Sequence, residues 1–191
     1  MSGYEILGDG DRELQEETLE TEEVFSGSLL GLTRNKVRDP EGRIGVREVV
    51  HHPGGVVIIP IISEGEKDKL LLVKQYREPA GKPLWELPAG TLEEGETAKD
   101  CAGRELIEET GYAASALEKK VDLYTSPGYS DEVLSVYLAS GLETVDDPEL
   151  VQSPEDENLI VGKFTLEEIL ARAKAGEISD GKTLAGLLFL L

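Results

Sequence analysis

Cysteine is almost missing from this chain: Cys101 is the single one in 191 residues. An internal disulfide is therefore excluded, and a reducing cytoplasm is the expected compartment. Positive charge is scarce as well. Nineteen lysines and arginines stand against 39 aspartates and glutamates, a net charge of −20. That balance argues against non-specific binding to nucleic acid or to an anionic membrane. It suits a protein that handles cations, or it reflects solubility or a salty habitat. Long apolar runs are lacking too. The most apolar stretch near the end, LAGLLFLL, is far too short to span a bilayer. The opening MSGYEILGDGDRELQEETLETEE has neither a basic n-region nor an apolar h-region, so no secretory signal is expected. There is no internal repeat and no EF-hand loop pattern, which counts against an acidic calcium-binding module.

What is present is ordinary for a folded domain: 39% hydrophobic and 30% charged residues. The length suits one domain with a sizeable core, or one domain plus a small appendage. Residues 1 to about 20 read as a loose acidic tail or a short helix. From Glu22 to Ile62, short β-rich runs alternate with turn signals at SGS, DPEG and HPGG. KLLLVKQY and PLWELPAG continue the strands. Thr97 to Thr110 reads as a helix with Gly111 as its C-terminal cap. LEKKVDLYTS and DEVLSVYLAS read as two more strands, TLEEILARAKAGEI and GKTLAGLLFLL as two amphipathic helices. Strands, a helix, strands and helices in that order imply an α+β fold with a mixed sheet. The early meander forms a separate small antiparallel β unit, giving a division into residues 1–52 and 53–191.

One helical segment stands out. RELIEETGY holds Glu105, Glu108 and Glu109 within about one turn, where like charges cost a few tenths of a kcal/mol per pair. At about 100° per residue, Glu105 and Glu109 lie within about 40° of each other, with Glu108 about 60° to the other side. Ala98, Cys101 and Ala102 share nearly the same sector, so the carboxylates continue a packed face. Partly enclosed carboxylates need a partner, and a hard divalent cation is the natural one. The alternative is a solvated acidic helix. In LPAGTLEEGET, Gly90 and Gly95 sit in a loop that can approach a ligand closely. Glu96 stands at the helix start, where the dipole favours negative charge. Arg104 is the cluster's one cation and can fix a carboxylate by a bidentate pair. Cys101, on the packed face, reads as an inert thiol.

From Gly90 the chain runs five residues to Glu96, seven more to Arg104, and then REL-I-EE-T-G-Y. This resembles the signature of the Nudix hydrolases, G-x5-E-x7-R-E-U-x-E-E-x-G-U, with only Tyr112 aromatic where an aliphatic residue is usual. The resemblance implies an α/β/α sandwich around a mixed sheet and Mg²⁺-dependent cleavage of a nucleoside diphosphate linked to another group. It implies two or three ions, with Mn²⁺ as a substitute. Carried over by position, Glu105, Glu109 and the carbonyl of Ala89 are metal ligands. Glu108 takes a further metal, directly or through water. Arg104 and Glu96 orient these ligands, Arg104 counted with Glu108 in the catalytic set and Glu96 in the substrate-binding set.

LLLVKQYREPAGKPLWELPAG before the motif, VREVVHHPGGVVIIPI further upstream and SPGYSDE after it resemble the ADP-ribose pyrophosphatase branch. Pro127, fifteen residues beyond Tyr112, is a mark of that branch. The resemblance implies hydrolysis of ADP-ribose to AMP and ribose 5-phosphate by a homodimer whose N-terminal strands exchange. Another nucleoside diphosphate sugar such as GDP-mannose, or a non-catalytic ligand sensor, are the alternatives. Arg77 and Arg47 are the expected contacts to adenosine or phosphate, against solvated strand ends as the bland reading. Tyr129 is a possible substrate contact or a surface tyrosine. Trp85 is a base-stacking residue or, more often in such a setting, core. In SPEDENLIV, position implies Glu155 as general base and Glu157 as a metal ligand, the two being exchangeable. His51 and His52, adjacent on a strand, point to opposite faces and are structural or interface residues.

Overall fold

The acidic segment before residue 27 becomes a strand because basic residues stand opposite it. The computed structural model describes residues 11–65, 67–147, 151 and 158–191. In it, β1 (Glu17–Ser26), β2 (Gly31–Arg38) and β3 (Ile44–His51) form an antiparallel sheet in that order. The register sets Glu17 beside Arg38, and Arg34 between Glu22 and Glu48. Ion pairs follow at 2.7 Å for Arg38–Glu17, 3.1 Å for Arg34–Glu22 and 3.7 Å for Arg34–Glu48. Strand structure thus begins at Glu17, inside the stretch expected to be a loose tail. Such opposite-charge pairs each contribute a few tenths of a kcal/mol, and β1, exposed throughout, has no apolar face to reveal it in sequence.

This sheet belongs to a unit that runs to Pro53 and also takes in Ser126–Glu132. That later segment attaches to β3 by main chain: Val50 N–H donates to Tyr129 O at 2.8 Å, and Asp131 N–H donates to Val50 O at 3.2 Å. The turn between β2 and β3 follows its sequence. Gly42 takes φ 84°, its N–H donates to Asp39 O, and the Asp39 carboxylate accepts from Arg43 N–H at 2.8 Å.

The second unit comprises Gly54–Thr125 and Val133–Leu191. It contains β4 (Gly55–Glu64), β5 (Lys67–Arg77), β6 (Lys82–Glu86), β7 (Ala89–Thr91), α1 (Ala98–Thr110), β8 (Tyr112–Tyr124), β9 (Val133–Thr144), β10 (Ile160–Phe164), α2 (Leu166–Lys174) and α3 (Gly181–Gly186). Its sheet has the order β10-β5-β4-β9-β8, with β6 beside β5 and β7 beside β4. The pairing of β4 with β9 is parallel and the others are antiparallel, so the sheet is mixed.

Strand β4 explains the layers. Its run GVVIIPII is apolar at almost every position, as expected of a strand covered on both faces. Val56 and Ile58 pack with Cys101, Ala102 and Leu106 of α1. Val57 and Ile59 face the other way, with Leu87, with Ile169 of α2, and with Ile178 and Leu187. Each such side chain, fully buried, contributes about 1.5–3 kcal/mol. Trp85 also packs against this second cluster, edge-on to Phe164 with ring centroids 5.0 Å apart, which is the core reading of that residue.

Candidate functional site

Helix α1 is fixed at both ends by its own sequence. The Thr97 hydroxyl accepts from Asp100 N–H at 3.2 Å, and Gly111 takes the left-handed conformation, φ 75°, that ends the helix. With the ends set, the buried face carries Cys101, Ala102, Glu105, Leu106, Glu109 and Thr110. Two carboxylates therefore lie among apolar side chains, Glu105 and Glu109 each 6% exposed.

What they face is β7. Its register on β4 sets Ala89 opposite Val57 and Gly90 opposite Val56. Gly90 is needed for approach: a Cβ there would stand 1.8 Å from the Glu105 carboxyl carbon. Glu109 Oε2 accepts from Ala89 N–H at 3.1 Å. The main chain of β7 and both buried carboxylates thus come together.

Arg104 organises the rest. Its Nε and Nη2 donate to the two oxygens of Glu96 at 2.9 and 3.0 Å. Its Nη1 donates to Glu105 Oε1 at 2.8 Å and to Glu108 Oε2 at 3.0 Å. Hydrogen bonding to Arg104 holds the Glu96 carboxyl below its ordinary value, and Glu96 in turn raises Arg104. Glu105 moves the other way: burial raises it, with Arg104 only partly opposing. One guanidinium serves three carboxylates, and the buried one is left under-compensated. The Cys101 thiol is pushed up to about 12, by burial first and then by the charges of Glu96 and Glu105, so it is no nucleophile.

Among the described residues no three acidic, imidazole or thiol side chains form a ready cation cage. A cage is not required, because Mg²⁺ typically takes one or two carboxylates plus substrate phosphates. The donors here are hard oxygens: Glu105, Glu109, the nearby Glu108 and the β7 carbonyls. They fit a hard divalent cation, since buried Glu105 is met by Arg104 through Oε1 and the rest of the group is oxygen donors. Glu155 and Glu157 lie outside the described residues.

The remaining candidates are carried by other elements. Arg77, at the end of β5, donates from Nε and Nη2 to Glu86 at 3.0 and 2.9 Å. Arg47 and Tyr129 belong to the first unit. Arg47 pairs with Glu16, Nε to Oε2 at 3.0 Å. Tyr129 is 60% exposed. His51 Nδ1 lies 2.6 Å from Asp131 Oδ2 and holds that carboxyl below its ordinary value, while His51 Nε2 lies 2.8 Å from Thr33 Oγ1. His52 Nδ1 lies 3.5 Å from Glu132. Both histidines thus tie the Ser126–Glu132 segment to β3. Sequence reasoning passed over Glu86 and its second cation, Lys182. The one signal available was a carboxylate set between the apolar residues Trp85 and Leu87.

The family model described as "NUDIX domain" matches residues 51–186. The chain is 39% identical over 179 residues to the ADP-ribose pyrophosphatase of Bacillus subtilis (strain 168), covering 94% of each chain. It is 39% identical over 176 residues to the methanol dehydrogenase activator of Bacillus methanolicus, covering 92% of each. Against the ADP-ribose pyrophosphatase of Mycobacterium tuberculosis it is 42% identical over 173 residues, covering 90% of this chain and 81% of that one. A solved structure described as "Crystal structure of ADP compounds hydrolase" superposes with a TM-score of 0.78 over 93% of both chains, at 21% identity, and so shares the fold.

Proposed function

The chain belongs to the Nudix hydrolase family, and we propose that it hydrolyses the pyrophosphate bond of ADP-ribose, giving AMP and ribose 5-phosphate. The observation that carries this reading is the pair of buried carboxylates, Glu105 and Glu109, held against β7 at Ala89 and Gly90. Near-full-length similarity to ADP-ribose pyrophosphatases supports the choice of substrate.

The family works with a divalent metal, here taken as Mg²⁺ in two or three ions with Mn²⁺ able to replace it. A cation held there supplies neutralisation of the diphosphate charge and an activated water. Glu105, Glu109 and the Ala89 carbonyl would hold it, and Glu108 would take a further metal, directly or through water. Arg104 orients Glu105 and Glu108 while anchored on Glu96. Arg77 and Arg47 contact the adenosine or the phosphates of the substrate, and Tyr129 is a further substrate contact. Glu155 would take the proton of the attacking water as one phosphorus–oxygen bond forms and the bridging one breaks, and Glu157 would ligate metal, the two roles being exchangeable. The active form is a cytoplasmic homodimer with exchanged N-terminal strands. No helix among the described residues is long and apolar enough to cross a membrane.

The test is product analysis with Mg²⁺ on ADP-ribose, GDP-mannose, UDP-glucose, diadenosine polyphosphate and NADH. AMP and ribose 5-phosphate from ADP-ribose, in clear preference to the rest, is the expected result. Preferential cleavage of GDP-mannose replaces the substrate assignment. Binding of ADP-ribose with no turnover of any compound makes the protein a sensor.

A further inference from the structure

Glu86 is a carboxylate only 1% exposed, placed on β6 between Trp85 and Leu87. A buried charge persists only when paired and hydrogen-bonded. Arg77 supplies the first partner, a two-toothed pair from the neighbouring strand. In the strand register Arg77 stands opposite Lys82, while Glu86 stands opposite Val73. The two side chains therefore run toward each other along the strands, not straight across. Lys182, from the first turn of α3, donates to Glu86 Oε2. Lys182 Nζ also lies 3.1 Å from Asp180 Oδ1. Asp180 caps α3, accepting from Thr183 N–H at 2.9 Å and from the Thr183 hydroxyl at 2.6 Å. That same hydroxyl accepts from Leu87 N–H at 2.8 Å. The circuit closes on the residue next to Glu86. Within it Glu86 pairs with both Arg77 and Lys182, and Lys182 also with Asp180.

We propose that Glu86 and Lys182 are positioning residues for substrate: Glu86 fixes the guanidinium of Arg77, and Lys182 fixes Glu86. This rests on the reading that Arg77 contacts the substrate, at its adenosine or its phosphates. A free arginine side chain loses rotamer entropy on being ordered. Here that ordering happens on folding, so it does not weaken binding. Lys182 has a distinct part. With Arg77 alone, Glu86 is held from one side; with Lys182 it is tied to α3, whose Gly186 approaches so closely that a Cβ would meet Leu87 Cδ1 at 2.6 Å. The orientation of Arg77 is thus set by a helix about a hundred residues away in sequence.

The test is steady-state kinetics of the full-length protein on ADP-ribose at saturating Mg²⁺, comparing Arg77→Gln, Glu86→Gln, Lys182→Met and the double variant Arg77→Gln/Glu86→Gln. Glu86→Gln raises KM about five- to twentyfold and Lys182→Met about two- to fivefold, with kcat within about threefold. In the double variant Glu86→Gln adds nothing to the KM of Arg77→Gln, because its effect passes through that arginine. Unchanged KM in Glu86→Gln and Lys182→Met, with a raised KM in Arg77→Gln, overturns the inference and leaves the Arg77 reading standing. So does a double variant whose effects simply multiply. An unchanged KM in Arg77→Gln removes the Arg77 reading and the inference with it. If Glu86→Gln does not fold, Lys182→Met decides by the same KM criterion.

Discussion

Among the described residues of the first unit, Val37 alone is a buried hydrophobic residue, whereas β4 of the second unit by itself buries Val56, Val57, Ile58 and Ile59. The difference shows two ways of specifying a strand. In the first unit, pairing is selected by charge: Glu17 finds Arg38, and Arg34 finds Glu22 and Glu48. In the second, β4 is selected by what covers it, helix α1 on one face and α2 with the C-terminal segment on the other. Only a framework of the second kind can hold carboxylates out of water. The buried pair on α1 is accordingly found there.

Glycine divides the same way. Gly42 is required by a left-handed backbone angle, with nothing near its missing side chain. Gly90 is required by approach, since the Glu105 carboxyl fills the space a Cβ would take. Gly90→Ala should therefore displace Glu105 and lower kcat/KM by about three orders of magnitude, with the far-ultraviolet spectrum unchanged. Activity near wild type would show that the approach of β7 to Glu105 is incidental. Core truncation comes next. Ile59→Ala should cost about 2–5 kcal/mol in denaturant unfolding, because its neighbours from α2 and β5 cannot collapse fully into the gap. In contrast, Arg34→Gln should cost at most about 1 kcal/mol and lose that cost in high salt. A larger, salt-independent loss would place a hidden core in the first unit.

The smallest effect concerns Asp131. Its hydrogen bond to His51 lowers the carboxyl below 3.8, so the folded state binds its proton less readily than the unfolded chain. By linkage this contribution is present above the ordinary carboxylate value and is lost as pH falls through the lowered one. Asp131→Asn should therefore lower stability slightly at neutral pH and converge with wild type in acid. Parallel pH–stability curves would assign Asp131 no such part.

Legibility in the sequence follows the range of the interaction. The unbroken apolar run of β4 announces a doubly covered strand, and Thr97 with Gly111 bounds α1 almost to the residue. The grouping of Glu105 and Glu109 on the packed face was readable from helical spacing, whereas Gly90, expected in a loop that approaches a ligand, stands on strand β7 against the Glu105 side chain. Three features were not readable. The Glu17 start of β1 depends on cations across the sheet, because the strand has no alternation of its own. The parallel pairing of β4 with β9 is a tertiary choice between segments some eighty residues apart. The circuit through Glu86, Lys182 and Thr183 joins residues that no local pattern relates.

The most direct measurement is kcat on ADP-ribose with saturating Mg²⁺ for wild type and Glu109→Gln, with thermal unfolding run in parallel. The account predicts release of AMP and ribose 5-phosphate by the wild type and a loss of about three orders of magnitude or more in the variant, the melting temperature holding. Activity of Glu109→Gln within about tenfold of wild type would contradict the assignment of the buried carboxylates as cation ligands.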